Sequence, residues 1–347
     1  MDIGLTDEQK LLQDTASGLA ARLGTTGPGN IEAGSTSEEQ WLQVVELGVP
    51  TLRSPALCGM DTSGMETVVV IEQLARALCA VPVVGQAVLA TELLEAAGAE
   101  KELELIAEGT LRVAPVLTGD LRGFGSPAGG GIGFDAQGAT HALLVGETDG
   151  VRRVVCVPLE DRGGDGLDLT RTLLRIRPDQ NGSAMAVGDS IDTERWQRVE
   201  SLALTAIAAD LMGVMQGALD ESVRYAGERA QFGVKIGSFQ AVQHLLADAL
   251  VRVEGARSCL WHAAWAIDHL PPDEARLAAM TAKAYAADAG REVVEAAVQV
   301  FGGIAITWEH IAHFRVRRML LDRQLFGDES VQYDAIAQLR LADEEIG

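Results

Sequence analysis

Basic side chains are what this sequence most lacks: 28 Lys and Arg stand against 50 Asp and Glu in 347 residues, a formal net charge of −22. A field of that sign repels a phosphate backbone and argues against a nucleic-acid partner. Any anionic ligand must therefore be met by local basic groups, and Arg224, Arg229 and the run Phe314-Arg-Val-Arg-Arg318 are the candidates. Cysteine is limited to Cys58, Cys79, Cys156 and Cys259, with no C-x-x-C pair and no histidines at ligand spacing. That scatter argues against a disulfide framework and a metal site, and for reduced buried thiols. No apolar run reads as long enough to span a bilayer, and Met1-Asp-Ile-Gly-Leu-Thr6 lacks the basic and apolar regions of a signal peptide. The expectation is a cytoplasmic protein with no membrane segment.

What is present is a 47% hydrophobic composition with 38 glycines and only 4% aromatics. It suits close helix packing, and the length suits two or three packed units. Residues 5–23 open with Thr6 and, three residues on, Gln9, a capping pattern ahead of a helical apolar stripe. Residues 24–38 read as a loop, 38–47 as a helix ending at Gly48-Val-Pro50, and 51–64 as irregular. Two helices, 64–80 and 83–97, follow on either side of Val81-Pro82, then a shorter one near 99–108. From 110 the period changes to short β-rich runs, LRVAPVLTGD, ATHALLVGET, VRRVVCVPLE and TLLRIRPD. Gly129-Gly-Gly-Ile-Gly133 invites a dinucleotide-loop reading, but no helix-forming run follows it, so a Gly-rich hairpin is the better account. Helical spacing returns over 197–228, 238–269, 273–301 and 308–322, with a tail helix near 328–345.

The resulting expectation is an α+β chain: an N-terminal helical domain at 1–109, a small β-barrel or β domain at 110–193, and a C-terminal four-helix bundle at 194–347. In the bundle, Leu245, Leu246, Ala249, Leu250 and Val253 are predicted core, and Trp261, Trp265 and Met280 need no functional role.

The densest polar chemistry lies at 224–244, RYAGERAQFGVKIGSFQAVQH, where a Gly-Val-Lys-Ile-Gly turn separates two apolar helical runs. An arginine fork suits phosphate, and an adjacent aromatic can lie against a flat ring. R-x-Q-F-G-x-x-I-x-x-F-Q-x-x-Q-H, followed by L-A-D, resembles the signature of the acyl-CoA dehydrogenase family, flavoenzymes that desaturate acyl-CoA thioesters between the α and β carbons. Gln299-Val-Phe-Gly-Gly303 and Thr307-Trp-Glu309 continue the match, and W-x-x-x-x-E-L-G with E-x-L-A-R-A extend it to the N-terminal region. The resemblance implies the acyl-CoA dehydrogenase fold. It also implies that Arg229, Phe232, Gln240, Gln299, Gly302 and Gly303 hold the adenosine-pyrophosphate half of an FAD carried mainly by a neighbouring subunit.

The rest of the family pattern is missing. Ala114-Pro-Val-Leu-Thr-Gly-Asp120 replaces the family's Thr-Glu-Pro-x-x-Gly-Ser-Asp flavin loop, and the β region has no tryptophan before Trp196. Counting from Glu309 puts the family's catalytic glutamate at Phe326, and the minority alternative falls at Ala203, so no catalytic residue is assigned. Asp328 or Glu329 could substitute as a displaced base, and acidic residues in a helix first turn also serve the macrodipole. Glu309 is expected to pair with an arginine of 315–318, and His244 and His310 to be structural.

This one-sided pattern resembles the β-type subunits of actinobacterial α2β2 acyl-CoA dehydrogenases. It implies a homologous catalytic partner, shared FAD, an acyl-CoA substrate such as a steroid side-chain thioester in lipid β-oxidation, and an electron acceptor reached through the complex. The rivals are a complete homomeric enzyme and a purely structural partner that touches no cofactor.

Overall fold

The computed structural model describes residues 4–31, 38–58, 63–159, 166–177 and 184–344. Helices come first: α1 (Asp7–Leu23), α2 (Glu38–Glu46), α3 (Pro55–Cys58), α4 (Gly64–Arg76), α5 (Ala90–Ala96) and α6 (Glu100–Ala107). The capping box read at Thr6 and Gln9 is present, and Ser63 with Glu66 makes a second at the start of α4. The helix predicted over 83–97 begins as a wider π-helical turn, Val83–Leu89, before tightening into α5. There Gly85 lies close under Asp135, whose carboxylate accepts its backbone N–H at 2.7 Å.

Strands β1 (Val113–Leu117), β2 (Gly131–Gly133), β3 (His141–Thr148), β4 (Val151–Pro158), β5 (Leu174–Ile176) and β6 (Met185–Ile191) form one mixed sheet in the order β5-β2-β1-β3-β4-β6. Among the described strands β5 and β6 are free edges, so the sheet is open and not a barrel. The Gly-rich run is the hairpin strand β2, antiparallel to β1. A Cβ at Gly131 would run into the carbonyl of Leu117, so close strand approach accounts for glycine there.

The bundle is α7 (Thr193–Glu228), α8 (Gln240–His269), α9 (Pro272–Phe301) and α10 (Ala312–Gln324), with α11 (Glu329–Glu344) against α9. In one respect the sequence expectation fails: α7 has an 18-residue window of mean hydropathy 1.6 and is long enough to cross a membrane, but 94% of that window is buried inside the fold. α4 crosses α7 at Gly213 and Gly217, where a Cβ would collide with backbone at Glu72 and Arg76. One core therefore runs through α1, α4, α7, α8 and α9 and takes in Phe134 from the sheet region. Ala249 and Val253 belong to it, whereas Leu245 and Leu250, predicted as core, are exposed on the N-terminal half of α8.

Where sheet and bundle meet, Arg171 and Arg318 are buried with Asp135, Asp168, Asp210 and Asp322. Arg171 bonds Asp135 (2.8 Å) and Asp210, and Arg318 grips both oxygens of Asp210 at 2.8 Å. Burial works to raise the Asp210 pKa, but the two guanidiniums hold it far below the carboxylate range. Burial, and then the Asp210 charge, push Asp322 well above its ordinary value. Asp322 lies 3.5 Å from the Arg171 guanidinium, and neither of its oxygens makes a hydrogen bond among the described residues. Next to this cluster, fully buried Lys283 donates to the carbonyls of Arg323 (3.0 Å) and Gly327 (2.8 Å). Burial pulls its pKa down to about 7, against the pull of Asp322, Glu329 and Asp328.

Candidate functional site

α7 ends at Glu228 because Arg229 turns extended, its N–H still bonded to the carbonyl of Tyr225 at 2.8 Å. A two-residue hairpin follows: β7 (Ala230–Gln231) pairs with β8 (Val234–Lys235) around Phe232 and Gly233, both at positive φ (52° and 81°). Ile236 N–H closes back on the Arg229 carbonyl at 2.8 Å, and Lys235 Nζ donates to the Glu228 carbonyl at 2.6 Å. A short 3-10 turn at Ile236–Ser238 then starts α8 at Gln240.

This folded-back segment faces the end of α9. Between them lies an open groove of about 400 Å³ lined by Tyr225, Arg229, Gln231, Ile236, Val300, Phe301, Gly303 and Ile304. Its floor is aromatic: Tyr225 and Phe301 meet edge to face with centroids 5.3 Å apart. Gly302 ends α9 at φ 65°, and both it and Gly303 face open space where a ligand could approach the backbone. Among the described residues Arg229 has no ion-pair or side-chain hydrogen-bond partner. Arg224 pairs weakly with Glu228 (3.7 Å), Arg315 with Glu221 and Arg318 with Asp210. Arg315 and Arg318 are thus spent inside the fold, contrary to the expectation that the run meets an anion, while half-buried Arg317 donates to the Leu167 carbonyl at 3.0 Å. Arg229 is left as the cation in the groove.

The structure brings Arg229 and Gly303 together, with Gly302 adjoining. Gln299 and Gln240 are exposed on the helix ends beside the groove and do not line it. Phe232, at 92% exposure, sits at the hairpin tip, 6.3 Å from Phe239. Tyr225, Phe301 and Ile304 were not among the expected residues, because in sequence they look like ordinary positions of apolar runs, and Gln231 stands in the motif without having been assigned a role. A signal for Phe301 existed in its adjacency to Gly302-Gly303. The same segments carry exposed Val234, Phe239, Ile304, Ile306 (83%) and Trp308, an apolar surface of the kind that marks an interface.

The place where a base would be expected is different. Phe326, at φ 57°, is buried; its N–H donates to the Leu121 carbonyl (2.8 Å) and its own carbonyl accepts from Gln332 Nε2 (2.6 Å). Its ring meets Phe124 edge to face at 5.3 Å, and Phe124 meets Trp196 the same way at 5.5 Å. The loop after β1 is thereby stitched to the segment after α10 by three rings. Ala203 is fully buried. Glu329 is ion-paired with Arg323, whose hydrogen bond draws its pKa down, and Asp328 accepts from the backbone N–H of Val331 (3.2 Å) at the start of α11. Glu309 is exposed and has no ion pair among the described residues, contrary to the expected pairing with 315–318.

An FAD test of these residues gives a divided answer. The groove offers what an adenosine pyrophosphate needs: an unpartnered guanidinium, an amide at Gln231, a flat aromatic floor and bare glycine backbone. At the position of the expected base stands a buried phenylalanine, Phe326, packed on Phe124, which cannot accept a proton. A second, smaller cavity of about 130 Å³, lined by Arg22, Thr25, Asn30, Gln137 and Thr170 among others, contains none of the sequence-derived site residues.

Comparison with known proteins agrees with this geometry. The family model for the acyl-CoA dehydrogenase C-terminal domain matches residues 203–340. Acyl-CoA dehydrogenase IpdE2 of Mycobacterium tuberculosis is 30% identical over 320 residues, covering 90% of this chain and 91% of that protein. Acyl-CoA dehydrogenase FadE34 of the same organism is 31% identical over 344 residues, and the chain spans 45% of its length. Among solved structures, a chain of the ChsE4–ChsE5 complex from Mycobacterium tuberculosis matches with a TM-score of 0.80 at 25% identity, covering 97% of this chain and 98% of that one. With relatives of this identity along nearly its whole length, the helix–sheet–helix architecture is that of a member of the acyl-CoA dehydrogenase family, to which this chain belongs.

Proposed function

We propose that this chain is the non-catalytic subunit of a heteromeric, FAD-dependent acyl-CoA dehydrogenase, acting in the cytoplasm as an α2β2 assembly with a homologous catalytic partner. One contrast carries the reading. The groove holding Arg229 is open and its cation unpartnered, while the position of the expected base is held by the buried Phe326, packed on Phe124. The first belongs to a chain that serves a cofactor; the second belongs to a chain that cannot do proton abstraction itself. Support for a partner comes from the exposed apolar hairpin and from the structural neighbour, a chain of the ChsE4–ChsE5 complex.

FAD, when bound, accepts the hydride of the α,β-desaturation. Arg229 balances the pyrophosphate charge, which the −22 field would otherwise repel. Gln231 supplies an amide, Tyr225 and Phe301 a flat apolar floor, and Gly302 and Gly303 let a ligand approach the backbone. Phe232, Gln240 and Gln299 sit outside the groove, on the surface that meets the partner, and close the adenosine side from there. The substrate is an acyl-CoA thioester, with a steroid side chain as the acyl group, and electrons leave through the partner to an electron-transfer acceptor. A displaced base is disfavoured, since Asp328 and Glu329 are both engaged.

The test is the FAD content of the chain purified alone and again with the homologous subunit co-expressed. The expected result is no flavin alone and one FAD for every two chains in the complex. One FAD per chain in a homo-oligomer of this protein overturns it.

A further inference from the structure

Behind the groove's aromatic floor stands a histidine that the proposed chemistry does not use. His310 packs on Phe301 with centroids 4.6 Å apart, and Phe301 in turn meets Tyr225 at 5.3 Å. The backbone N–H of Ala312, the first residue of α10, donates to His310 Nδ1 at 3.1 Å. A backbone N–H can only donate, so Nδ1 is unprotonated and the imidazole is neutral, with its proton on Nε2. We infer that His310 is a positioning residue for the groove, holding the Phe301 ring in place only while its imidazole is neutral. The inference rests on the reading of the groove as an adenosine-pyrophosphate site.

The surroundings oppose protonation. A proton on Nδ1 would face the Ala312 N–H and break that bond, and the charge would sit at the positive end of the α10 dipole. Burial pulls the His310 pKa below its ordinary value; Glu221 from α7 pulls the other way and His313 from α10 adds to the depression. Glu221 is itself occupied, both of its oxygens being held by Arg315 at 3.0 and 2.6 Å. Once protonated, the ring loses its anchor on α10 and seeks water or Glu221, and Phe301 loses the surface behind it. Phe301 directly precedes Gly302 and Gly303, so its displacement disturbs both floor and rim.

The test uses the full chain assembled with its co-expressed homologous subunit and freed of flavin, and ADP-ribose, which carries adenine and a pyrophosphate diester that does not titrate near neutrality. Binding is measured calorimetrically from pH 8 down to pH 5.5 for the wild type, His310→Phe, His310→Asn and Arg229→Ala, with thermal melts confirming that each is folded at each pH. Wild-type affinity should fall at least about threefold toward the acid end as the imidazole charges. His310→Phe, which keeps a ring and cannot charge, should bind as wild type does at pH 8 and hold that affinity at pH 5.5. His310→Asn keeps an acceptor for Ala312 but no ring, and should bind weakly at every pH. The same acid loss in His310→Phe as in the wild type, or wild-type binding by His310→Asn, overturns the role of His310 and leaves the groove standing. If ADP-ribose does not bind at pH 8, or binds equally to Arg229→Ala, the groove reading falls and this inference with it.

Discussion

Phe326 stands edge to face against Phe124, with centroids 5.3 Å apart and planes at 65°, so the segment after α10 and the loop after β1 behave as one packed unit. Phe124→Ala and Phe326→Ala should each destabilise the chain by about 3–5 kcal/mol. The double mutant should fall short of the sum by about 0.5–1.5 kcal/mol, the worth of an aromatic pair. Urea unfolding of the four proteins measures this, and strict additivity would mean the rings are merely neighbours. The chain alone should remain colourless throughout.

Arg229→Ala separates a cofactor-touching subunit from a purely structural one. Loss of a charge-assisted hydrogen bond costs about 1.5–3 kcal/mol, so FAD should dissociate from the assembled complex roughly 10- to 100-fold more readily. Arg229→Lys should recover part of that, since charge remains but the fork is lost. Full FAD retention in Arg229→Ala, with the complex intact, would leave only the structural role.

Phe232 combines 92% exposure with φ 52°, an unfavourable conformation for a bulky side chain. Phe232→Asn should leave the isolated chain as stable or about 1 kcal/mol more stable, because Asn tolerates the left-handed region. The same change should weaken association with the catalytic partner, measured by analytical ultracentrifugation. Weaker folding together with unchanged assembly would contradict an interface role.

The charge cluster makes opposite predictions for two neighbouring aspartates. Asp210→Asn leaves Arg171 and Arg318 without their shared carboxylate and should cost about 3–5 kcal/mol. Asp322→Asn should cost less at pH 7, because neither Asp322 oxygen has a hydrogen bond to lose. The pH signs follow from the directions of the two shifts. Asp210, with a depressed folded pKa, stabilises above its unfolded pKa and loses that contribution as pH falls toward its folded value. Asp322, with a raised folded pKa, favours folding below its unfolded pKa and loses that contribution as pH rises toward its folded value. Chemical unfolding at pH 7 and pH 4 tests both, and equal losses in the two variants would refute the difference between the two aspartates.

Lys283 should impose a slope at the alkaline end. Its folded pKa of about 7 lies below the ordinary 10.5, so between those values the unfolded chain binds the extra proton. Stability contributed by this group therefore rises as pH increases through that window. Lys283→Met should flatten the slope, while leaving the carbonyls of Arg323 and Gly327 without their donor. Unfolding midpoints at pH 7 and pH 9.5 report the difference, and an unchanged slope in the variant would assign it elsewhere.

Much of the architecture was legible because long helices and capping boxes are local: Thr6 with Gln9 announces α1, and the apolar period announces α7 to α9. The strand β6 was not seen, and β2 was read only as part of a Gly-rich hairpin. β2 is three residues of mostly glycine, which pair for lack of side chains rather than because of them. In the site, Arg229 and Gly303 could be read from a motif, whereas Tyr225 and Phe301 look like core residues until the hairpin folds back over them. The arginines of α10 were misread as surface cations because their partners, Asp210 and Glu221, lie on a helix far away in sequence. Asp210 was the available clue, a lone carboxylate inside the apolar run of α7 that had to find a cation. Leu245 and Leu250 were taken for core because the first turns of α8 carry a core-like pattern that this chain alone does not cover.

The ion cluster also sets an order of events during synthesis. Its members come from positions 135, 168, 171, 210, 318 and 322, so the sheet and α7 leave the ribosome with Arg171 already facing Asp135, Asp168 and Asp210. The second guanidinium arrives only with α10. Until Arg318 emerges, three carboxylates share one cation, and the seam between sheet and bundle must stay hydrated. A nascent chain therefore remains open at that seam until α10 has emerged, and a product cut short before α10 is left with an acidic wound that quality-control proteases can recognise.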